Sequence, residues 1–109
     1  MSFRVRLTAE AVRNQNEIAD WIAQHSIEGA MRWLDSLSHV LDQVSSSPLS
    51  FAMAAEDEFS HKELRNAPFG TRKGRVFRAI FYVDGDTMIV THLRGPDQKN
   101  LSNDELNEI

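Results

Sequence analysis

Basic side chains are concentrated in one third of this 109-residue chain, where they could bind an anionic group. From Lys62 to Lys99 there are eight lysines and arginines against four acidic residues, a balance of +4, whereas the first 61 residues have four against nine, a balance of −5. Guanidinium and ammonium groups bind phosphate and carboxylate oxygens through charge-assisted hydrogen bonds. Residues 72–75 (Arg-Lys-Gly-Arg) have the composition of a solvated turn. The alternative interpretation is a local basic patch that binds phosphate or an acidic partner.

The residue types do not indicate a disulfide, a metal site or a nucleophilic active site. The chain has no cysteine, which excludes disulfides and thiolate metal sites. Its four histidines have no spacing that would bring three ligands together, so we expect no metal and no cofactor. Residues 45–47 are serines, but no nucleophile elbow or activating base accompanies them. The net charge of −4 argues against broad coating of nucleic acid, which draws its affinity from many phosphate contacts.

A short strand and two helices are predicted at the start of the chain. Residues 3–7 (FRVRL) alternate apolar and basic, which predicts an edge strand with its three apolar side chains facing inward. Thr8 and Ser26 are suitable N-caps for two consecutive helices, the first of which ends near residue 25. The second helix has an unbroken apolar stripe at helical spacing, formed by Ala30, Trp33, Leu34, Leu37, Val40, Leu41 and Val44.

A β-hairpin is predicted in the second half of the chain. Residues 76–83 and 87–94 are rich in β-branched and aromatic types, and Asp84-Gly85 between them suits a type I′ turn. No secondary-structure element is predicted for residues 49–61, whereas residues 62–69 are predicted to form a short strand. Residues 102–105 (SNDE) have the pattern of a capping box for a short C-terminal helix. This order predicts an α+β fold, with the N-terminal strand and two-helix hairpin packed on an antiparallel β-sheet.

The predicted hairpin register divides its side chains between two faces. Phe77 falls on an apolar face that meets the helices, and His92, placed opposite it, is expected to be a buried neutral histidine. Arg78 and Tyr82 fall on the other face, which mixes apolar and polar side chains and is therefore suited to a partner. We expect this face to be exposed, so that Arg78→Ala leaves folding nearly intact and weakens partner binding.

Three residues have purely structural interpretations beside the functional ones. Arg78 can serve as a structural arginine that pairs with Glu63 or Asp97. The two tryptophans, Trp21 and Trp33, are expected to pack within the helical hairpin and not to stack on nucleic-acid bases.

The length suits one compact core, and we expect residues 1–109 to form a single domain. No apolar run approaches the roughly 18 to 20 residues of a membrane helix. Residues 1–8 lack the apolar centre of a signal peptide. We therefore expect a soluble, cytoplasmic protein that does not associate with a membrane.

Several of these segments together resemble the RelE/ParE superfamily of bacterial toxins. They are the strand ending at Leu7, residues 30–34 (AMRWL), the Leu64-Arg65 pair and, above all, residues 78–86 (RAIFYVDGD) followed by a strand that ends in Arg-Gly. The resemblance spans nearly the whole chain. It implies the toxin of a type II toxin–antitoxin, or plasmid stabilisation, system. Such a toxin is silenced by a cognate antitoxin whose extended or helical tail wraps around it.

The resemblance implies two alternative activities. RelE-like members cut messenger RNA in the ribosomal A site, and under this alternative Arg78 matches the strand arginine that contacts the phosphate, with Lys73 and Arg94 as further catalytic candidates of an endoribonuclease. RelE-like nucleases carry more basic residues after the last strand and a Tyr or His near the C-terminus, whereas this chain continues with Pro96, Asp97 and an acidic tail. ParE-like members inhibit DNA gyrase by protein contact and need no acid–base residues. The acidic balance and the long helical hairpin favour this branch.

The resulting expectation is a ParE-like toxin that binds a protein target such as DNA gyrase. The alternative is a RelE-like nuclease acting on the ribosome and its mRNA, and a third interpretation is a non-toxic remnant that only binds an antitoxin. The sheet face that carries Arg78 and Tyr82, together with the groove beside the hairpin helices, is expected to receive the antitoxin tail. A homodimer and a toxin–antitoxin hetero-oligomer are both compatible with the sequence. The residues expected to contact the target or the antitoxin are Arg72, Lys73, Arg75, Arg78, Tyr82 and Arg94.

Overall fold

Two helices cover one face of a four-stranded sheet in the computed structural model, which describes residues 2–57, 61–70, 75–98 and 100–107. The α+β class predicted from the sequence is confirmed. In chain order the elements are β1 (Arg4–Leu7), α1 (Ala9–Ala23), α2 (Ile27–Ser46), a 3₁₀ turn (Pro48–Ser50), β2 (Arg65–Gly70), β3 (Val76–Asp84), β4 (Thr87–Arg94) and α3 (Asn103–Asn107).

The helix starts follow the predicted caps. The hydroxyl of Thr8 accepts a hydrogen bond of 3.1 Å from the Ala11 amide, and the hydroxyl of Ser26 accepts one of 2.9 Å from the Gly29 amide. Both bonds satisfy amides that lack a partner within the helix. Trp33 of α2 is fully buried against the sheet, as part of the apolar stripe predicted for this helix. Its ring lies against the aromatic side chains of β2 and β3, Phe69 and Phe77.

The sheet has the strand order β1-β4-β3-β2 and is mixed. Strands β2, β3 and β4 pair antiparallel, as predicted, whereas β1 runs parallel to β4. The chain can make this parallel pair because the whole helical hairpin and two strands separate β1 from β4. Strand β1 lies at the sheet edge as predicted. Phe3 and Leu7 pack against the main core as expected, whereas Val5 between them is still 40% exposed.

The β3–β4 hairpin differs from the predicted register in its turn and in a bulge. Asp84 pairs with Thr87, so the loop residues are Gly85 and Asp86. Gly85 has a φ of +62°, and it is the one residue with positive φ in the described parts of the chain, which fits a type II′ turn and not the predicted type I′.

A bulge then shifts the pairing between Ile80 and Phe81 of β3. One extra residue of β4, Thr91, moves every later side chain to the opposite face. His92 therefore pairs with Ile80 on the face away from the helices, and the prediction that it faces them is wrong. Leu93 takes its place in the main core.

The far face of the sheet, away from α1 and α2, is covered by the chain itself. Residues 52–57 run beside β2, and α3 packs across β3 and β4. They bury a second apolar cluster, formed by Ala54, Leu64, Ile80, Leu101 and Leu106. The expectation that this face is exposed is therefore wrong. No helix in the described segments is long and apolar enough to cross a membrane.

Candidate functional site

Arg78 lies in the middle of β3 on the far face, where its guanidinium holds a carboxylate in a two-point contact. Its two terminal nitrogens donate hydrogen bonds of 2.9 and 2.7 Å to the carboxylate oxygens of Glu56. A third bond, of 3.2 Å, goes to the side-chain oxygen of Asn100. The arginine side chain is 19% exposed. Arg78 is thus paired as in the structural interpretation of the sequence, but with Glu56 and not with Glu63 or Asp97.

Glu56 is an almost fully buried carboxylate, with a side-chain exposure of 2%. It also accepts a 2.9 Å hydrogen bond from the amide of Leu101. Burial by itself raises the pKa of this carboxyl, but the hydrogen bonds from Arg78 and Leu101 and the arginine charge outweigh burial and hold the pKa below 4.5. The carboxylate therefore stays ionised in the folded chain and matches the charge of Arg78.

Arg94, at the end of β4, binds a second carboxylate of the same chain. It donates hydrogen bonds of 2.9 and 2.7 Å to the two oxygens of Glu105 in α3. Glu105 also closes the predicted capping box three positions after Ser102: it accepts from the Ser102 amide at 3.1 Å while its own amide donates to the Ser102 hydroxyl at 3.2 Å. Burial raises the pKa of Glu105, but the Ser102 hydrogen bonds and the Arg94 charge lower it overall.

The two arginines are direct partners in the β3–β4 register, so their carboxylates lie side by side on one face. His92 adds its Nε2 atom 3.9 Å from Glu105. Tyr82 is half-buried at the edge of the same cluster, with the ammonium group of Lys62 5.4 Å from its ring centroid. The basic side chains of this face could bind an anion, but Arg78 and Arg94 are already bound to the carboxylates of Glu56 and Glu105.

A groove lies between the helical hairpin and the start of β3. It has a volume of about 790 Å³, and its lining includes Trp21, His25, Arg32 and Arg75. Trp21 is 49% exposed, and the Arg75 guanidinium lies 5.6 Å from its ring centroid, which is a cation–π contact. The expectation that Trp21 packs within the hairpin is therefore wrong. Its exposed ring makes the groove partly apolar, and two arginines against one aspartate, Asp35, give its lining a small positive balance.

The predicted contact residues do not form one patch in the structure. Arg78, Tyr82 and Arg94 lie on the covered far face, whereas Arg75 lies in the groove. The predictions for residues 72 and 73 lie outside the described residues. In the segments that the structure describes, no three His, Cys, Asp or Glu side chains converge in a way that could hold a metal ion.

Sequence reasoning missed three residues that define these places: Glu56, Glu105 as a partner of Arg94, and Trp21 as a surface residue. One signal was present for the first. An acidic triplet at 56–58 lies in a stretch without secondary-structure pattern, and the predicted mid-strand arginine needed a partner if its face was covered. Nothing in the local sequence indicated that α3 would return to this face.

The sequence matches no protein-family model and no curated protein. Among solved structures, the fold is similar to a chain of the structure described as "Chromosomal ParDE TA system from P. aeruginosa". The similarity has a TM-score of 0.65 and covers 86% of this chain and 96% of that chain, at 14% sequence identity. The protein therefore shares its fold with a chain of a ParDE toxin–antitoxin system.

Proposed function

We propose that this protein is the toxin of a type II toxin–antitoxin pair, belongs to the RelE/ParE superfamily and is held inactive by a cognate antitoxin. The observation that carries the proposal is the fold shared with a chain of the ParDE system over 86% of this sequence. Within that superfamily we favour the ParE-like branch, in which residues 1–109 act as a single domain on a protein target such as DNA gyrase.

The state of Arg78 supports a protein-binding mechanism over RNA cleavage. A nuclease needs cations directed at the phosphate on which charge develops. Here Arg78, the strand arginine that would supply that charge, holds the buried carboxylate of Glu56. Breaking a buried ion pair by removing one partner typically costs about 3–5 kcal/mol. A substrate phosphate would have to offset a cost of this order before it contacted Arg78.

The groove supports a binding site for the antitoxin. Helical and extended tails dock by placing apolar side chains in a groove and matching charge at its rim. The Trp21 ring offers an apolar surface, and large aromatic side chains often dominate binding at interfaces. Arg32 and Arg75 supply two positive charges against the one negative charge of Asp35, so the best-fitting occupant is an antitoxin segment with an apolar side chain and an acidic residue beside it.

The decisive experiment combines a growth assay with two assays on purified protein. Expression of the chain alone should arrest bacterial growth, and co-expression with the protein encoded by the adjacent gene should restore it. The purified chain should inhibit supercoiling by DNA gyrase and should leave mRNA intact in primer extension on translating ribosomes. Codon-dependent cleavage without an effect on gyrase would replace the proposal by the nuclease alternative. Normal growth and no response in either assay would identify a non-toxic remnant.

A further inference from the structure

Residues 100–107, here called the strap, lie across the far face of the sheet and are held there by a small set of contacts. Leu101 and Leu106 are buried to 6% and 2% exposure in the second apolar cluster. Polar contacts accompany them: Asn100 to Arg78, the Leu101 amide to Glu56, and Glu105 to Arg94 and His92. Among the described side chains, two leucines and these few polar contacts therefore hold the segment on the sheet.

The strap belongs to a different cluster from the one that holds the main fold together. Among the described residues, the main core contains thirteen buried residues of α1, α2 and the sheet, whereas the second cluster contains five, of which the strap supplies two. The described part of helix α3 has five residues, and a helix of this length is not stable without its packing partners. Short segments with few buried contacts open at a lower free energy than the core of the same protein.

The strap covers side chains that could contact a partner. Ile80 and His92 are register partners beneath it, with 0% and 4% exposure. Next to them, one terminal nitrogen of the Arg94 guanidinium donates to both carboxylate oxygens of Glu105. Opening of the strap would remove that carboxylate and the two leucines together. It would leave a face with an arginine, a histidine and an apolar centre.

We propose that the strap is an autoinhibitory element: it undocks as a unit while the main core stays folded, and only the undocked chain offers Arg94 and His92 to a target. Glu105 acts in the docked state as an internal substitute for an acidic group on that target. The undocking follows from the contacts above. The inhibitory role rests on the proposed function, because it requires that the chain has a target.

Hydrogen exchange of the full chain tests the undocking. We expect the amides of Leu101 and Leu106 to exchange at least 10-fold faster than the slowest amides of β3 and β4. Leu106→Ala should accelerate the strap amides by a further factor of about 10 and leave the sheet amides unchanged, because the sheet does not depend on the strap. The matched core variant Leu37→Ala should accelerate the sheet amides instead. Equal acceleration of strap and sheet in either variant, or a Leu106→Ala chain that does not fold, would overturn the proposal.

Arginine modification tests what the strap covers. Glu105→Gln keeps a residue that can serve the capping box but removes the charge that holds Arg94. Phenylglyoxal should therefore modify Arg94 about 10-fold faster in this variant than in the wild type. The control is Glu63→Gln, which removes the exposed partner of Arg65 and should leave the rate at Arg94 unchanged. An unchanged Arg94 rate in Glu105→Gln would show that the strap does not control access.

The inhibitory role is tested in the growth assay. Glu105→Gln should arrest growth at a lower level of expression than the wild type, whereas Glu63→Gln should match the wild type. Equal potency of Glu105→Gln and wild type would overturn the inhibitory role. If none of the three proteins arrests growth, the proposed toxin function fails, and the exchange and modification data still decide whether the strap undocks.

Discussion

Arg78 and Arg94 stand opposite each other in the β3–β4 register, and each guanidinium is closed by a carboxylate from a distant part of the chain. Glu56 reaches Arg78 from the turn before β2, and Glu105 reaches Arg94 from α3. The two pairs connect the sheet to the only parts of the described chain that cover its far face. They therefore join elements that the main core does not hold, and removal of the buried Arg78–Glu56 pair should lower the free energy of unfolding.

Replacement of Arg78 should destabilise the protein strongly. Arg78→Leu leaves the Glu56 carboxylate buried without its cation, and we expect a loss of about 3–5 kcal/mol in the free energy of unfolding. The double variant Arg78→Leu, Glu56→Leu removes both charges and should recover most of this loss. Urea unfolding of the two single variants and the double variant measures the coupling. A stable single Arg78 variant would restore the sequence-based view that this arginine is not needed for folding.

Acid should weaken the fold through the same carboxylate. The pKa of Glu56 in the folded chain lies below its ordinary value of 4.5, so its contribution to stability is fully present above that pH. As the pH falls from about 4.5 through the lower folded pKa, the unfolded chain takes up the proton first and the free energy of unfolding decreases, by at most ~1.4 kcal/mol per pH unit for this group. Urea titrations between pH ~7 and ~3 should show this decrease, and Glu56→Gln should reduce its slope. An identical slope in that variant would assign the acid sensitivity to other groups.

Two leucines of the α2 stripe should differ in their effect on stability. Leu37 is 3% exposed, whereas Leu41 is only partly buried at the margin of the same core. Leu37→Ala leaves a cavity and should cost about 2–5 kcal/mol, and Leu41→Ala should cost less because its site remains in part open to solvent. Thermal or urea unfolding of both variants checks the order. The reverse order would mean that the helix packs through a different face.

The hairpin turn should depend on glycine at one position only. Gly85 has a φ of +62°, and a Cβ atom placed there would meet nothing within 4 Å. The cost of Gly85→Ala is therefore purely conformational, at about 1–2 kcal/mol. The neighbouring loop residue has no positive φ, so Asp86→Ala is the matched control and should change stability little. Similar losses in the two variants would contradict a type II′ turn.

Antitoxin binding should depend on the groove. Trp21→Ala and Arg75→Glu remove its exposed ring and reverse one of its charges, and each should reduce co-purification of the protein encoded by the adjacent gene at least 10-fold. Arg6→Glu on β1 is the control, because it makes the same charge change on a strand that does not line the groove. Retention of the partner by both groove variants, with loss in the control, would move the binding site to the opposite sheet edge.

Much of the scaffold could be predicted because its signals are local. The cap at Thr8 needs only a hydroxyl three residues before a free amide, and the α2 stripe needs only the helical repeat. The capping box of α3 likewise involves two residues three positions apart. The residues that form each of these features lie three or four positions apart, so the local sequence is enough to predict them.

The far face could not be predicted because its contacts join distant segments. Glu56 and Arg78 are 22 positions apart and meet only when the chain folds back over the sheet. The bulge at Thr91 has no strong local signal, yet it decides the face on which His92 and all later residues of β4 lie. A register drawn without it places the wrong side chains under the strap.

The parallel pairing of β1 with β4 has a consequence for protein synthesis. Leu7 pairs with Val90, and Thr8 donates a hydrogen bond to Thr91, 83 positions later in the chain. At translation rates of about 5–20 residues per second, strand β1 waits roughly 4–17 seconds before residue 91 has been made. The sheet can be completed only after β4 has left the ribosome, so each newly made molecule passes through a period in which β1 has no strand to pair with.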